Sequence, residues 1–195
     1  MINYLNSIDT QLFLFINRLH SPFFDPIMYW LSDKWIWVPF YMLIVFLVVR
    51  QYKMKGLLII LAAGIVIALC DQTASHLIKN AVMRLRPSHQ PTLTGLVHLS
   101  KAGPGGLYGF ASSHAANTFG LATYMLFMLD KKLNPLKYIL FVWAILVTYS
   151  RIYNGVHYPG DIIAGAMIGI LWGWLIAKLF HYFENRKLQR DLQKK

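Results

Sequence analysis

The sequence predicts an all-α fold: an integral membrane bundle of about five transmembrane helices, preceded by N-terminal interfacial helices. Three observations predict it. Hydrophobic residues fill 56% of the 195 positions and charged ones only 14%, a balance too apolar for an ordinary soluble domain. Five apolar stretches follow one another with no repeat or low-complexity linker between them, and a hydrocarbon core of ~30 Å needs roughly 20 helical residues. Lysines and arginines collect in short inter-helix stretches and in the tail, the pattern that orients membrane proteins. The net charge of +11 therefore does not indicate nucleic acid, because no basic stripe with interleaved aromatic residues occurs.

The N-terminus does not read as a signal peptide, since Asp9 precedes Leu12–Ile16 with no basic lead and no small-residue cleavage site. Residues 9–19 are short and amphipathic, and 21–32 hold two prolines and an aspartate. Both read as helices lying in the interface, so residues 1–34 form an N-terminal interfacial segment. The membrane domain, 35–183, contains spans at about Trp35–Val49, Gly56–Ile78, Ser113–Leu129, Leu136–Tyr149 and Asp161–Phe183. The second and fifth are long enough; the others need flanking residues or neighbours. In the first, Pro39 and the adjacent Asp33-Lys34 work against a full crossing. Cys70, the only cysteine, lies in an apolar run and reads as a buried structural thiol.

Three basic stretches set the orientation: Arg50–Lys55, Lys131 to Lys137, and a tail (184–195) with Arg186, Lys187, Arg190, Lys194 and Lys195. If all five spans cross, these share one side, and their charge makes it cytoplasmic. Lys79, His114, Arg151 and His157 then lie together at the opposite, outer face. The expected location is the cell (inner) membrane, multi-pass, with the C-terminus in the cytoplasm and the site facing the periplasm or outside.

Three polar clusters end these spans, where ionisable groups are costly in lipid. In Lys79-Asn80-Ala81-Val82-Met83-Arg84-Leu85-Arg86-Pro87, Pro87 forces a turn. Lys79 and Arg86, seven apart, can share a helix face before it, whereas Arg84 points elsewhere and reads as a headgroup anchor. Arginine offers phosphate a planar fork and lysine a point charge. Ala111-Ser112-Ser113-His114 opens the third span; a helix N-terminus presents free amides to a phosphate, and His114 is placed to protonate a leaving oxygen. Ser150-Arg151 closes the fourth span, and His157-Tyr158-Pro159-Gly160-Asp161 opens the fifth. Asp161, four residues on, can hold one imidazole nitrogen of His157 so that the other attacks phosphorus, forming a phosphohistidine. Two other chemistries use the same residues. His114, His157 and Asp161 could ligate a metal, but the neighbouring cations oppose it. Ser112 or Ser113 with His157 and Asp161 could form a hydrolase triad, without the usual G-x-S-x-G elbow.

Lys-x6-Arg-Pro, x-Ser-x-His and Ser-Arg-x5-His-x3-Asp, in this order from Lys79 to Asp161, resemble the type 2 phosphatidic acid phosphatase (PAP2) superfamily, which includes vanadium haloperoxidases. The resemblance implies a PAP2/haloperoxidase-like helical core and a metal-independent phosphatase without cofactor. It assigns phosphate binding to Lys79, Arg86, Arg151, Ser112 and the amide of Ser113. His157 becomes the nucleophile, Asp161 its orienting carboxylate and His114 the general acid. One departure is visible: the family's Pro-Ser-Gly-His is here Ala111-Ser112-Ser113-His114, which bears on the substrate more than on activity. Candidate substrates are undecaprenyl pyrophosphate, phosphatidylglycerophosphate, phosphatidate and lipid A phosphate. Lipid-to-lipid phosphotransfer and a non-catalytic anion or lipid transporter are the rival functions, and the oligomeric state is not legible.

Among accessory residues, the outer loop Ser88–Phe110 carries His89, His98, Lys101 and several glycines, a connector or a flap over the headgroup. Asp71 and His76 sit within the second span, either as a structural pair or as functional groups. Asn117 lies one turn beyond His114.

Overall fold

The structure, a computed structural model, describes residues 2–193. Lys194 and Lys195 of the expected basic tail lie outside the described residues. The elements are α1 (Ile2–Asn17), α2 (Phe24–Ser32), α3 (Val38–Tyr52), α4 (Met54–Asp71), α5 (Lys79–Val82), α6 (Ser113–Met128), α7 (Asn134–Tyr153) and α8 (Pro159–Gln193). Among the described residues no β-strand forms; one isolated antiparallel bridge joins Leu85 to Tyr108. Pro39 does not break the first span, because it falls in the opening turn of α3, where the missing N–H has no intrahelical partner to lose.

Among the described residues, four helical stretches are long and apolar enough to cross a bilayer: Trp35–Tyr52, Met54–Val82, Lys131–Tyr153 and Pro159–Gln193. They turn large apolar side chains outward, among them Leu61, Ile145 and Met167, which a water-soluble surface would not tolerate at this density. The protein is an all-α, multi-pass membrane protein. The expected third span, α6, has 16 residues, about 24 Å of helix. It is enclosed by α4, α7 and α8, and Ala116, Leu121, Ala122 and Tyr124 on it are buried.

Small residues let α6 and α8 approach closely. Gly165, Gly169, Gly173 and Ala177 recur every four residues on α8 and are buried. A Cβ at Gly169 would lie 2.7 Å from the amide nitrogen of Gly120, and one at Gly173 2.6 Å from its carbonyl oxygen. Such a stripe replaces the hydrophobic drive, absent in lipid, with backbone-to-backbone packing. It fixes Ser112 at the start of α6 beside Asp161 at the start of α8, where the Ser112 amide donates to the Asp161 carbonyl at 3.0 Å.

The basic stretches collect at the other end of the bundle. The Asp130 amide donates to the Tyr52 hydroxyl at 2.7 Å, Gln51 reaches Asp130 at 3.3 Å, and Lys55 pairs with Glu184. Helix α8 runs without interruption through residues 184–193, so the start of the tail is helical.

Candidate active site

At the end opposite the basic loops, Pro87 makes the chain turn earlier than a helix reading of the sequence expects. The helix of the second span passes through a π-helical segment, Gln72–Ile78, and stops at Val82, with Met83 in the left-handed region at φ 48°. Residues 84–86 are extended and pair with 107–109: the Arg86 amide donates to Leu107 at 3.1 Å and the Gly109 amide to Arg84 at 2.9 Å. Lys79 and Arg86 therefore do not share one helical face. In extended backbone, residues two apart share a side, so Arg84 and Arg86 both turn toward α8.

His157 lies between α7 and α8 and is 1% exposed. Its Nδ1 is 3.3 Å from Asp161 Oδ2, and its Nε2 is 3.1 Å from Arg86 Nη1. A guanidinium only donates, so Nε2 carries the lone pair and the ring proton sits on Nδ1, facing the carboxylate. Burial, together with Arg86, Arg151 and Lys79, holds the imidazole well below its ordinary titration range, which keeps Nε2 unprotonated and nucleophilic at neutral pH. Arg86 is fixed by donating to the carbonyls of Tyr108 at 3.1 Å and Val156 at 3.0 Å. Gly109 makes room for this meeting: a Cβ there would come within 3.0 Å of Asp161 Oδ2 and 3.2 Å of Arg86 Cγ.

Asp161, 0% exposed, is held from three directions: the Tyr158 amide at 3.0 Å, His157, and Arg84 Nη1 at 2.9 Å on Oδ1. Arg84 continues to Asp9 of α1 at 2.8 Å and lies 4.0 Å from the centre of the Tyr158 ring; Asp9 in turn accepts from the Gly160 amide at 2.8 Å. Sequence reasoning missed both residues. A helical reading of the segment aims Arg84 away from Arg86; the sequence signal for its true direction is the two-residue spacing from Arg86 before a proline. Asp9 carried none, since only the fold brings α1 to the start of α8.

The remaining residues converge on the same end. Arg151 Nη1 donates to Ser32 Oγ at 2.7 Å, while its Nε is buried with no hydrogen-bond partner among the described residues. Lys79 lies within electrostatic range of Arg86, Asp161 and Arg151, and His114 within range of Arg151, His157, Arg86 and Lys79. Ser112 is the N-cap of α6, fully buried, with its Oγ accepting from the Ala115 amide at 3.5 Å. The first intrahelical bond runs from the Ala116 amide to Ser112, so the amides of Ser113 and His114 precede it and are available to an anion. His114, Ser113, Asn117 and Asp71 also line a cavity of about 220 Å³ between α2, α3, α4, α6 and α7. Asp71 accepts from Ser75 at 3.1 Å.

The outer loop is held at His98: Asn17, fully buried at the end of α1, accepts from the His98 amide at 2.8 Å and donates to the carbonyls of His98 at 3.0 Å and Tyr153 at 2.8 Å. Asp25 of α2 joins the same knot, accepting from Tyr153 at 2.8 Å and meeting His98 Nε2 at 3.0 Å. Among the described residues, His20, Asp25 and His98 bring possible metal-ligand atoms within 4.8 Å of one another. The two imidazoles stack at 3.7 Å and 6°, so their in-plane lone pairs run side by side and do not converge on one ion.

A helical membrane bundle that gathers arginines, histidines and a free helix N-terminus at one end has the form of a phosphate-handling membrane enzyme. Residues 53–185 match the PAP2 superfamily; the chain belongs to it and is a phosphatase of that superfamily. It is 40% identical over 195 residues to a lipid A 4'-phosphatase of Bacteroides thetaiotaomicron, covering 99% of this chain and 84% of that one. A lipid A 4'-phosphatase of Porphyromonas gingivalis is 35% identical over 192 residues, 96% of this chain and 79% of that one. The crystal structure of the transmembrane PAP2-type phosphatidylglycerolphosphate phosphatase from Bacillus subtilis superimposes with a TM-score of 0.65 at 25% identity, covering 92% and 88% of the two chains.

Proposed function

We propose that this protein hydrolyses a lipid phosphomonoester at the outer face of the cell (inner) membrane, with lipid A-type phosphorylated glycolipids as the substrate class. The observation that carries the reading is His157 set between Asp161 at 3.3 Å and Arg86 at 3.1 Å, an oriented nucleophile touching a phosphate ligand. The names of the two Bacteroides and Porphyromonas relatives support the substrate class. The basic stretches at the far end of the bundle support the sidedness. In the same reading α1 and α2 lie along the interface, residues 35–183 form the catalytic membrane domain, and the tail is cytoplasmic.

The steps follow from the charges. Arg86, Arg151, Lys79 and the amides at the start of α6 hold the three phosphoryl oxygens, and Arg86 leaves Nε2 for the phosphate as it binds. Nε2 forms a bond to phosphorus as the bond to the lipid oxygen breaks; the phosphate dianion bound among the cations favours the protonated imidazole of His114, which gives that oxygen its proton. Water then attacks the phosphohistidine, its proton passes to His114, and Nε2 is released. Electrostatic stabilisation of the transferring group supplies most of the rate. In this reading the three cations supply the positive charge that a metal could otherwise supply, and the reaction is independent of metal.

The test is phosphate release by the detergent-solubilised protein, with chelator present, from lipid A, phosphatidylglycerophosphate, phosphatidate and undecaprenyl pyrophosphate. We expect release, greatest on lipid A, and its loss with the covalent phosphoryl label in His157→Ala. Label retained on another residue in an active preparation refutes the nucleophile, and release only without chelator refutes metal independence.

A further inference from the structure

We propose that the cavity beside His114 is a subsite for the hydroxyl groups of the moiety carrying the phosphate, read chiefly by Trp143 and Asn117; this rests on the phosphatase reading above. Trp143 is 4% exposed, lines the cavity, and its indole N–H has no hydrogen-bond partner among the described residues. The Oδ1 of Asn117, a residue of α6 that lines the same cavity, is likewise buried and unpartnered among the described residues. An unsatisfied buried polar atom costs roughly 1–3 kcal/mol, and two such atoms on residues that line one cavity are satisfied if a ligand entering it meets both.

The chemistry of the wall selects that ligand. An indole donor, a carboxamide acceptor, the Asp71 carboxylate and the Lys34 ammonium surround the space. The Trp143 ring is braced edge-on by Tyr41 at 5.8 Å and Trp37 at 5.6 Å. Donors and acceptors interspersed against flat aromatic surfaces match hydroxylated carbons. The volume, about 220 Å³, equals roughly seven waters, enough for one sugar ring or a glycerol. The cavity also joins the phosphate site: Ser32, which accepts from Arg151, forms part of its lining.

A sugar and a glycerol share this chemistry, and three substrates separate them. The full-length solubilised protein is assayed for kcat/KM on lipid A, phosphatidylglycerophosphate and phosphatidate, the last bearing no hydroxyl beside the phosphate. Trp143→Phe keeps an aromatic ring, though a smaller one, and deletes the N–H; Asn117→Leu removes the acceptor from a different helix. In each, the ratio of kcat/KM on lipid A to that on phosphatidate is expected to fall about ten-fold. A fall confined to the phosphatidylglycerophosphate ratio supports hydroxyl recognition and assigns it to glycerol. Equal losses on all three lipids, or no change in either variant, overturn the subsite while leaving the phosphatase intact. Wild-type protein that releases phosphate from none of them removes the underlying reading itself.

Discussion

Arg84→Gln tests whether the chain Asp9–Arg84–Asp161–His157 positions the proposed nucleophile. Arg84 makes two charge-assisted bonds, to Asp161 at 2.9 Å and Asp9 at 2.8 Å, and only the first bears on the imidazole. Such a bond is worth about 1.5–3 kcal/mol. The Arg84 side chain is 20% exposed, so water replaces part of it, and about 2 kcal/mol remains, roughly 30-fold in kcat. Asp161 would keep the Tyr158 amide but lose the guanidinium bonded to Oδ1, leaving a fully buried anion freer to rotate away from Nδ1. Arg84→Lys should recover part of the loss, since an ammonium lacks the fork that spans two carboxylates. Steady-state phosphate release gives kcat and KM, and thermal unfolding in detergent monitors stability. A merely structural arginine would lower the melting temperature and leave kcat within two-fold of wild type; that outcome refutes the positioning role.

Burial and the neighbouring arginines keep His157 well below its ordinary titration range, so the acid limb of kcat/KM, which reports the free enzyme, should fall well below pH 6.5. The unfolded histidine takes up its proton near pH 6.5 while the native one does not, so its contribution to stability declines as pH drops through that value. An acid limb at 6.5 or above in phosphate-release assays contradicts this. Gly169→Leu drives a side chain into α6, where even a Cβ meets the Gly120 amide at 2.7 Å; overpacking costs of 1–3 kcal/mol or more should appear as a lower melting temperature and reduced yield of folded protein. Asn17→Ala strips three hydrogen bonds from the knot of α1, outer loop and α7. At about 1 kcal/mol each, this should expose the loop near His98 to limited proteolysis at protease levels that spare the wild type.

Much of this molecule was legible where chemistry and local backbone agree. The third span was expected to begin at Ser113 and does, because Ser112 is an unambiguous cap. Lys79, His114, Arg151, His157 and Asp161 were expected at one end, and helix direction alone takes them there. What stayed hidden depended on backbone that only tertiary pairing creates. Residues 84–86 become extended because Pro87 forbids a helix before it and residues 107–109 offer a partner, and that reverses the aim of Arg84. The π segment before Lys79 leaves no mark in composition. The four-residue spacing of Gly165, Gly169 and Gly173 was visible, but not which helix it would meet. The unpartnered atoms of Asn117 and Trp143 become apparent only when two helices face each other across a cavity.

Helix α8 is a single rod of 35 residues, about 52 Å long against a hydrocarbon slab of ~30 Å, with Asp161 in its first turn. The carboxylate beside the His157 imidazole and the basic far end of the helix therefore belong to one stiff strut. In the proposed reading, lipid that tilts or sinks the strut would shift the site against the plane of the headgroups, and turnover should then vary with bilayer composition.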